Sequence, residues 1–524
     1  MRDLYIKDYE LLSRKSLKKA LQHTMQEVCV LQTKEGKQVL ARGGDVSEER
    51  TSQSAQVQYI LPVTPATQLG SNHFKTTYGT QYAYYAGAMA NGIASTQMVI
   101  ALGKAGFMGS FGAGGLNIER LEAAIDEIQA TLGLDGAYLI NVLSAPTMPE
   151  KEMEVIKLLL KKNVRAIEVA AFIQITEPLV YYRLSGLQRG EDGQVICKHH
   201  IIAKVSREEV AMNFMKVADE KIVSKLLTKG LITQEQAELA KKVPMADDLT
   251  VEGDSGGHTD NRPLISLLPA MIALRNRIQK TYKYTDVIRI GAAGGISTAQ
   301  SALAAFEMGA DYVVTGSVNQ SCQEAGTSDY VKKALGQVTM ADVVMCPCAD
   351  MFEMGAKVQV MKKGTMFPMN AQKLYDLYST YNALSEIPAA EKARIEKRMF
   401  HSTLEEVWES TKAYFSKVAP HQITRALESE KYKMALVFRW YLGQSSKWAV
   451  QGEKSRMMDY QIWCGQGMGA FNNWVKGTYL EPVENRTVED VAQQIMTGAA
   501  YLNFINLVKP LGVDLVEIED YIIE

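Results

Sequence analysis

The stretch DSGGH, residues 254–258, ends on one of only 7 histidines among 524 residues. A histidine beside two glycines suits proton transfer, because imidazole is the side chain most easily tuned near neutral pH. It suits equally a loop histidine that hydrogen-bonds a ligand or the backbone. Lys204, in IIAKVSR at the end of an apolar run, offers positive charge for a developing anion, or is a solvated lysine just past a strand. Asp254 shapes the turn. Farther along, RIGAAGGIS (289–297) and DYVVTGS (311–317) break apolar runs with glycine. Glycine at a strand-to-helix turn lets a backbone, a helix or a phosphate come close. One such turn reads as a tight turn and nothing more, with Thr315 as a helix cap. Two in succession, at Gly294-Gly295 and Gly316-Ser317, favour a phosphate held by backbone N–H groups, with Thr315 and Ser317 adding hydroxyls. Cys346-Pro347-Cys348 invites a metal or redox reading. With one residue between the thiols and no second Cys/His pair nearby, no metal is expected, and two buried thiols are.

Such residues need a frame that gathers them. Residues 8–27 read as an amphipathic helix, CVLQTKEGKQVLAR as a hairpin turning at Glu35-Gly36, and GGDVSEERTSQSAQ as a linker. From residue 57, short apolar runs alternate with helical stretches. They begin with YILPVT, pass through YAYYAGAMANGIASTQMVIALGKAG, and continue as FMGSFGAGG, GAYLINVL, AIEVAAF, HIIAKVS, LTVEGDSGG, DVIRIGAAGG and DYVVTGS. Seven or eight βα units in about 260 residues predict an α/β chain built on a (β/α)8 TIM barrel rather than a Rossmann sheet. In a barrel the polar strand ends (Asn141, Lys204, Asp254 to His258, Gly294-Gly295, Thr315 to Ser317) share one face, where active sites are built, and the last two loops bind phosphate.

Beyond the last of these strands the texture changes to a largely helical region with Tyr, Trp and Met interleaved with charge. A glycine- and aromatic-rich stretch, WCGQGMGAFNNW, and a final helix follow. The expected division is 1–56 (helix, hairpin and linker), 57–335 (barrel), 336–450 (mainly helical substrate or lid domain) and 451–524 (a segment packing back on the barrel). The charge balance, 57 Lys+Arg against 59 Asp+Glu for a net −2, argues against a nucleic-acid partner. Six cysteines are too few for a disulfide framework and fit free thiols in a reducing cytoplasm. The charged N-terminus has no apolar leader, and no apolar run reaches the roughly 18 residues that a membrane span needs. A cytoplasmic protein without a membrane partner is expected.

The stretches YAYYAGAMANGIAS, GFMGSFGAGGL, DSGGHTDNRP, IGAAGGISTAQSALAAFEMGADYVVTGSVNQ and FRWYLGQSSKWA resemble the PfaD family, the trans-acting enoyl reductases of polyunsaturated fatty acid and polyketide synthases. That family is similar to nitronate monooxygenases and to flavin-type enoyl-acyl-carrier-protein reductases. The resemblance runs from about residue 57 onward; one departure is CGQGMGAFN where the family pattern is CGPAMGAFN. It implies an FMN-binding barrel that takes hydride from NADPH and reduces the C2–C3 double bond of a thioester on an acyl carrier protein. Carried over by residue, the flavin contacts are Ala88, Met89 and Asn141; the phosphate contacts are Gly257, Gly294, Gly295, Gly316 and Ser317, beside Thr315. His258 becomes the candidate proton donor, and Lys204 the charge near the flavin pyrimidine. MKKG near residue 362 and EKYKMALVFRWYLGQSSKW are candidate docking surfaces for an acidic carrier protein, and a homodimer is kept open. Two other functions stand beside this one: a nitronate monooxygenase, and a flavin-binding scaffold without chemistry.

Overall fold

The computed structural model describes residues 3–23, 26–33, 35–145, 148–516 and 518–524. Eight parallel strands form a closed barrel: β1 (Tyr84–Ala86), β2 (Met108–Phe111), β3 (Tyr138–Leu143), β4 (Ala166–Ala170), β5 (His200–Val205), β6 (Asp248–Glu252), β7 (Arg289–Ala293) and β8 (Tyr312–Thr315). Each pairs with the next, and β8 closes on β1 with Val313 opposite Tyr84. The strands are short and apolar because both faces are buried, the inner by barrel side chains and the outer by helices.

The barrel interior is filled rather than hollow. The Tyr85 and Tyr312 hydroxyls meet at Thr250 Oγ1, at 2.9 and 3.0 Å, and Phe74 stacks on Tyr312. Gly291 exists for this layer: a Cβ there would lie 2.1 Å from a ring carbon of Tyr312. The first glycine of RIGAAGG therefore makes room for an aromatic ring, not for a ligand. At the N-terminal end Arg289 forms a two-pronged pair with Asp248 (2.6 and 2.7 Å), both buried, and Tyr78 also donates to Asp248. Such a pair is strongly destabilising to break, since it leaves one buried charge unmatched.

Three expectations need correction. YILPVT is not a barrel strand: all but its last residue lies within Ala55–Val63, which pairs antiparallel with Gln26–Gln32 in a six-stranded N-terminal sheet. It is largely exposed, only Val63 being buried, whereas β1, YYA, is buried throughout. The first barrel strand is thus the start of YAYYAGAMANG, which reads more like a helix because Ala and Gly dilute it. The 43–56 linker also contributes to that sheet, through Asp45–Ser47 paired with Leu4–Lys7 and through the beginning of Ala55–Val63. The first helix is shorter than 8–27, spanning Arg14–His23; positions 24–25 lie outside the described residues, and 26–27 begin the strand Gln26–Gln32. The hairpin is as expected, Gln26–Gln32 against Gln38–Arg42.

Beyond the barrel, helices Phe367–Thr380, Ala389–Ile395, Leu404–Val418, Pro420–Glu428 and Glu430–Gln451 share a core of their own that includes Phe352, Phe367, Trp408, Phe438 and Tyr441. A three-stranded sheet ties this helical region to the barrel: Val343–Pro347 and Lys357–Met361 form a hairpin, and Gly257–His258 from the loop after β6 adds to its edge. Among the described residues no helix is long and apolar enough to cross a membrane.

Candidate active site at the mouth of the barrel

Polar side chains that an apolar strand would not choose stand at the C-terminal ends of β3 to β6. Glu168, inside the otherwise apolar β4, is fully buried. Its Oε2 accepts the Ala88 N–H at 3.0 Å, and its backbone carbonyl accepts from Asn141 Nδ2 at 3.2 Å. Its Oε1 has no hydrogen-bond partner among the described residues and faces Lys204 Nζ at 3.8 Å. Lys204 Nζ is 3.2 Å from Glu252 Oε1, which also accepts from Ser255 Oγ at 3.1 Å. Burial pulls the ammonium down, but Glu252 and Glu168 outweigh it and hold Lys204 above its usual value. The lysine is therefore a fixed cation between two carboxylates. The structure thus brings Ala88, Asn141 and Lys204 together around one residue that the sequence patterns did not single out. Met89 follows in the same turn, its carbonyl accepting the Ala94 N–H at 3.1 Å. Gly112 lets that carbonyl through, since a Cβ there would sit 1.7 Å from it.

The glycines serve two purposes. Gly294 (φ +86°) abuts the loop after β6, where a Cβ would come within 2.7 Å of the Gly253 carbonyl carbon. Gly257 (φ +82°), Gly295 (φ +74°) and Gly316 differ: a Cβ on any of them would meet nothing within 4 Å. The N–H groups of Gly295, Gly316 and Ser317 find no acceptor among the described residues. The C-terminal segment closes on this place. Gly465, which precedes helix Gln466–Trp474, donates its N–H to Ser317 Oγ at 2.9 Å. Gly256 packs on the Cys464–Gly465 peptide, and a Cβ on Gly467 would be 3.6 Å from Gly295 Cα. Open glycines and unspent amide donors at neighbouring strand ends make a cradle suited to a phosphate. Thr315 does not contribute the hydroxyl expected of it. It is buried, and its Oγ1 is shared between Tyr84 Oη and Asn319 Nδ2 (2.9 Å), so it fixes the strand end.

His258 stands against the helical region instead of the lysine cluster. Its Nε2 donates to Asp350 Oδ1 at 3.1 Å, and the Cys348 thiol lies close by, within 4.8 Å. No second Cys/His pair joins the Cys-Pro-Cys motif among the described residues, but donor atoms of His258, Cys348 and Asp350 all lie within 4.8 Å of one another. Both thiols are buried, as expected. Asp254 accepts from Gln359 Nε2 at 2.7 Å and holds its loop to the same hairpin. Of the residues missed, Glu168 was visible as a lone charge in AIEVAAF. Asp350 had no such signal, being 92 positions from His258.

Residues 72–386 match the nitronate monooxygenase family. The chain belongs to that family. Residues 381–460 match the inserted helical domain of [acyl-carrier-protein] S-malonyltransferase. The chain is 46% identical over 473 residues to a polyunsaturated fatty acid synthase component of Thraustochytrium sp., covering 89% of this chain and 32% of that protein. It is 46% identical over 437 residues to polyketide biosynthesis protein PksE of Bacillus subtilis, covering 83% and 57%. The crystal structure of the enoyl reductase domain of MlnA, from the macrolactin biosynthesis cluster of Bacillus amyloliquefaciens, superposes with a TM-score of 0.82 at 41% identity, covering 85% of this chain and all of that one. The chain thus spans about a third of the Thraustochytrium protein and a little over half of PksE. The resemblance to PfaD-type enoyl reductases carried by GFMGSFGAGGL and DSGGHTDNRP is borne out by these relatives.

Proposed function

We propose that this protein is an FMN-dependent enoyl reductase acting in trans, which reduces the C2–C3 double bond of an enoyl thioester on an acyl carrier protein at the expense of NADPH. The observation that carries this reading is the match to the whole of an enoyl reductase domain at 41% identity. The mouth of the barrel fits the cofactor: Gly257, Gly295, Gly316 and Ser317 offer space and donors for its phosphate, and Ala88, Met89, Asn141 and Lys204 line the neighbouring strand ends. FMN held there would supply the hydride chemistry that links NADPH to the β-carbon.

The chain's own residues then have two tasks. His258 gives a proton to the α-carbon; its N–H bond breaks as the new C–H bond forms. Lys204, kept cationic by Glu168 and Glu252, supplies positive charge where negative charge accumulates. The likeness of residues 381–460 to a domain inserted in an enzyme that works on an acyl carrier protein supports a carrier-bound substrate over a small nitronate. The six free thiols support a cytoplasmic setting. Mass spectrometry of an enoyl-loaded carrier protein, incubated with the protein and NADPH, tests the reading. A gain of two hydrogens on the acyl group is expected. An unchanged acyl group, with oxygen-dependent turnover of a nitronate instead, refutes it.

A further inference from the structure

The loop after β6 and the hairpin of the helical region meet at one side chain. Gly257–His258 pairs antiparallel with Lys357–Met361, Val358 lying opposite His258. The hairpin loop ahead of that strand returns Cys348 and Asp350 to the imidazole. Both Asp350 carboxylate oxygens lie 3.1 Å from His258 Nε2. The two side chains keep 48% and 59% of their surface exposed, so the ring is held while still reachable by a substrate.

We propose that Asp350 is a positioning residue for His258: the helical region supplies the carboxylate that orients the barrel's imidazole and keeps it protonated for delivery to the substrate α-carbon. This rests on the enoyl reductase reading. The other groups around the ring leave that task to Asp350. From the hairpin, the Cys348 thiol lies in the same cluster, Val358 is uncharged, Gln359 is turned to Asp254, and Lys357 is exposed. On the histidine's own loop, Asp260 is occupied by Arg207 at 2.9 Å and Asp254 by Gln359. Burial pulls the imidazole down, but Asp350, with Cys348 beside it, outweighs that and raises it to about 10; burial pushes Asp350 up, but His258 holds it down at about 2. A histidine raised in this way is protonated below its own value and loses the proton as pH rises through it. In the reaction the ring gives one N–H proton to the α-carbon, becomes neutral, and is re-protonated from water; the hydride for the β-carbon comes from NADPH.

The test compares Asp350→Asn and Asp350→Glu with the unaltered, flavin-loaded protein. The His258 ring is titrated by NMR with labelled histidine, its signal assigned by its loss in His258→Gln. The expected result is titration near 10 in the wild type, a fall toward the ordinary histidine value of about 6.5 in Asp350→Asn, and recovery in Asp350→Glu. In turnover, protonated fractions for those two values predict that Asp350→Asn loses up to about 100-fold in kcat at pH 8.5, less where Cys348 keeps part of the upward shift, and less than about 2-fold at pH 5.5, with KM little changed. A His258 titration unmoved by Asp350→Asn, or an equal loss of kcat at every pH, overturns the proposal. The NMR measurement needs no turnover, so it separates loss of this pairing from failure of the enoyl reductase reading.

Discussion

Replacing Gly316 tests the phosphate cradle without disturbing the barrel's packing. Its φ is negative, and a Cβ there would meet nothing within 4 Å. Its ψ of −88° lies outside the common regions, so any side chain brings a backbone cost on the order of 1 kcal/mol. Gly316→Ala carries that cost and fills a little of the space. Gly316→Asp carries the same cost and adds a carboxylate at the position assigned to the phosphate. Two unit charges about 5 Å apart at an effective dielectric near 20 repel by about 3 kcal/mol. With the second phosphate charge offset by solvent screening, that figure corresponds to FMN binding about 100-fold weaker or more. The assay is quenching of FMN fluorescence as apoprotein is added, with thermal unfolding of the apoprotein as control. Gly316→Ala should bind FMN within about 10-fold of wild type, Gly316→Asp at least about 100-fold more weakly, and the two apoproteins should unfold at similar temperatures. FMN affinity in Gly316→Asp equal to that in Gly316→Ala would show that no phosphate lies beside this turn.

His258→Ala should keep its FMN yet reduce the enoyl thioester on the order of 10²–10⁴-fold more slowly; undiminished turnover would remove the histidine from proton delivery. Gly291→Ala forces a methyl group into the Tyr312 ring and should lower stability by about 1–3 kcal/mol or more, read as a shift in the denaturant midpoint. Arg289→Met leaves Asp248 buried without its partner and should cost about 3–5 kcal/mol; unchanged unfolding would mean that the pair contributes nothing.

The barrel was legible because its parallel strands are buried on both faces and so read as compact apolar runs, several of them ending in a polar or glycine residue. The runs from FMGSFGAGG to DYVVTGS fall on β2 to β8 for that reason, GAYLINVL on β3 and AIEVAAF on β4 among them. YILPVT misled because an apolar run does not say which sheet it will join. Its place is decided by pairing with Gln26–Gln32, a long-range contact that no local pattern records. The glycines were legible as a group but not individually. Gly291 makes room for Tyr312 and Gly294 for the Gly253 backbone, while Gly257, Gly295 and Gly316 are open. Spacing alone does not distinguish a glycine that admits a ring from one that admits a ligand. Thr315 shows the same limit, its hydroxyl taken by Tyr84 and Asn319. Glu168 could have been found, since a charge in a strand buried on both faces needs a partner, and Lys204 at the end of the next strand was the natural one. The meeting of Asp350 with His258 depends on how the helical region docks, which is a tertiary fact.

The central claim is tested most directly by following the flavin spectrum without oxygen. The purified protein is reduced with NADPH, and an enoyl thioester on a carrier protein is then added. The account predicts bleaching by NADPH, then return of the oxidised spectrum in proportion to the thioester added, with saturated thioester formed. A protein that carries no flavin and takes up no FMN, or one that bleaches and stays bleached when the thioester arrives, would contradict it.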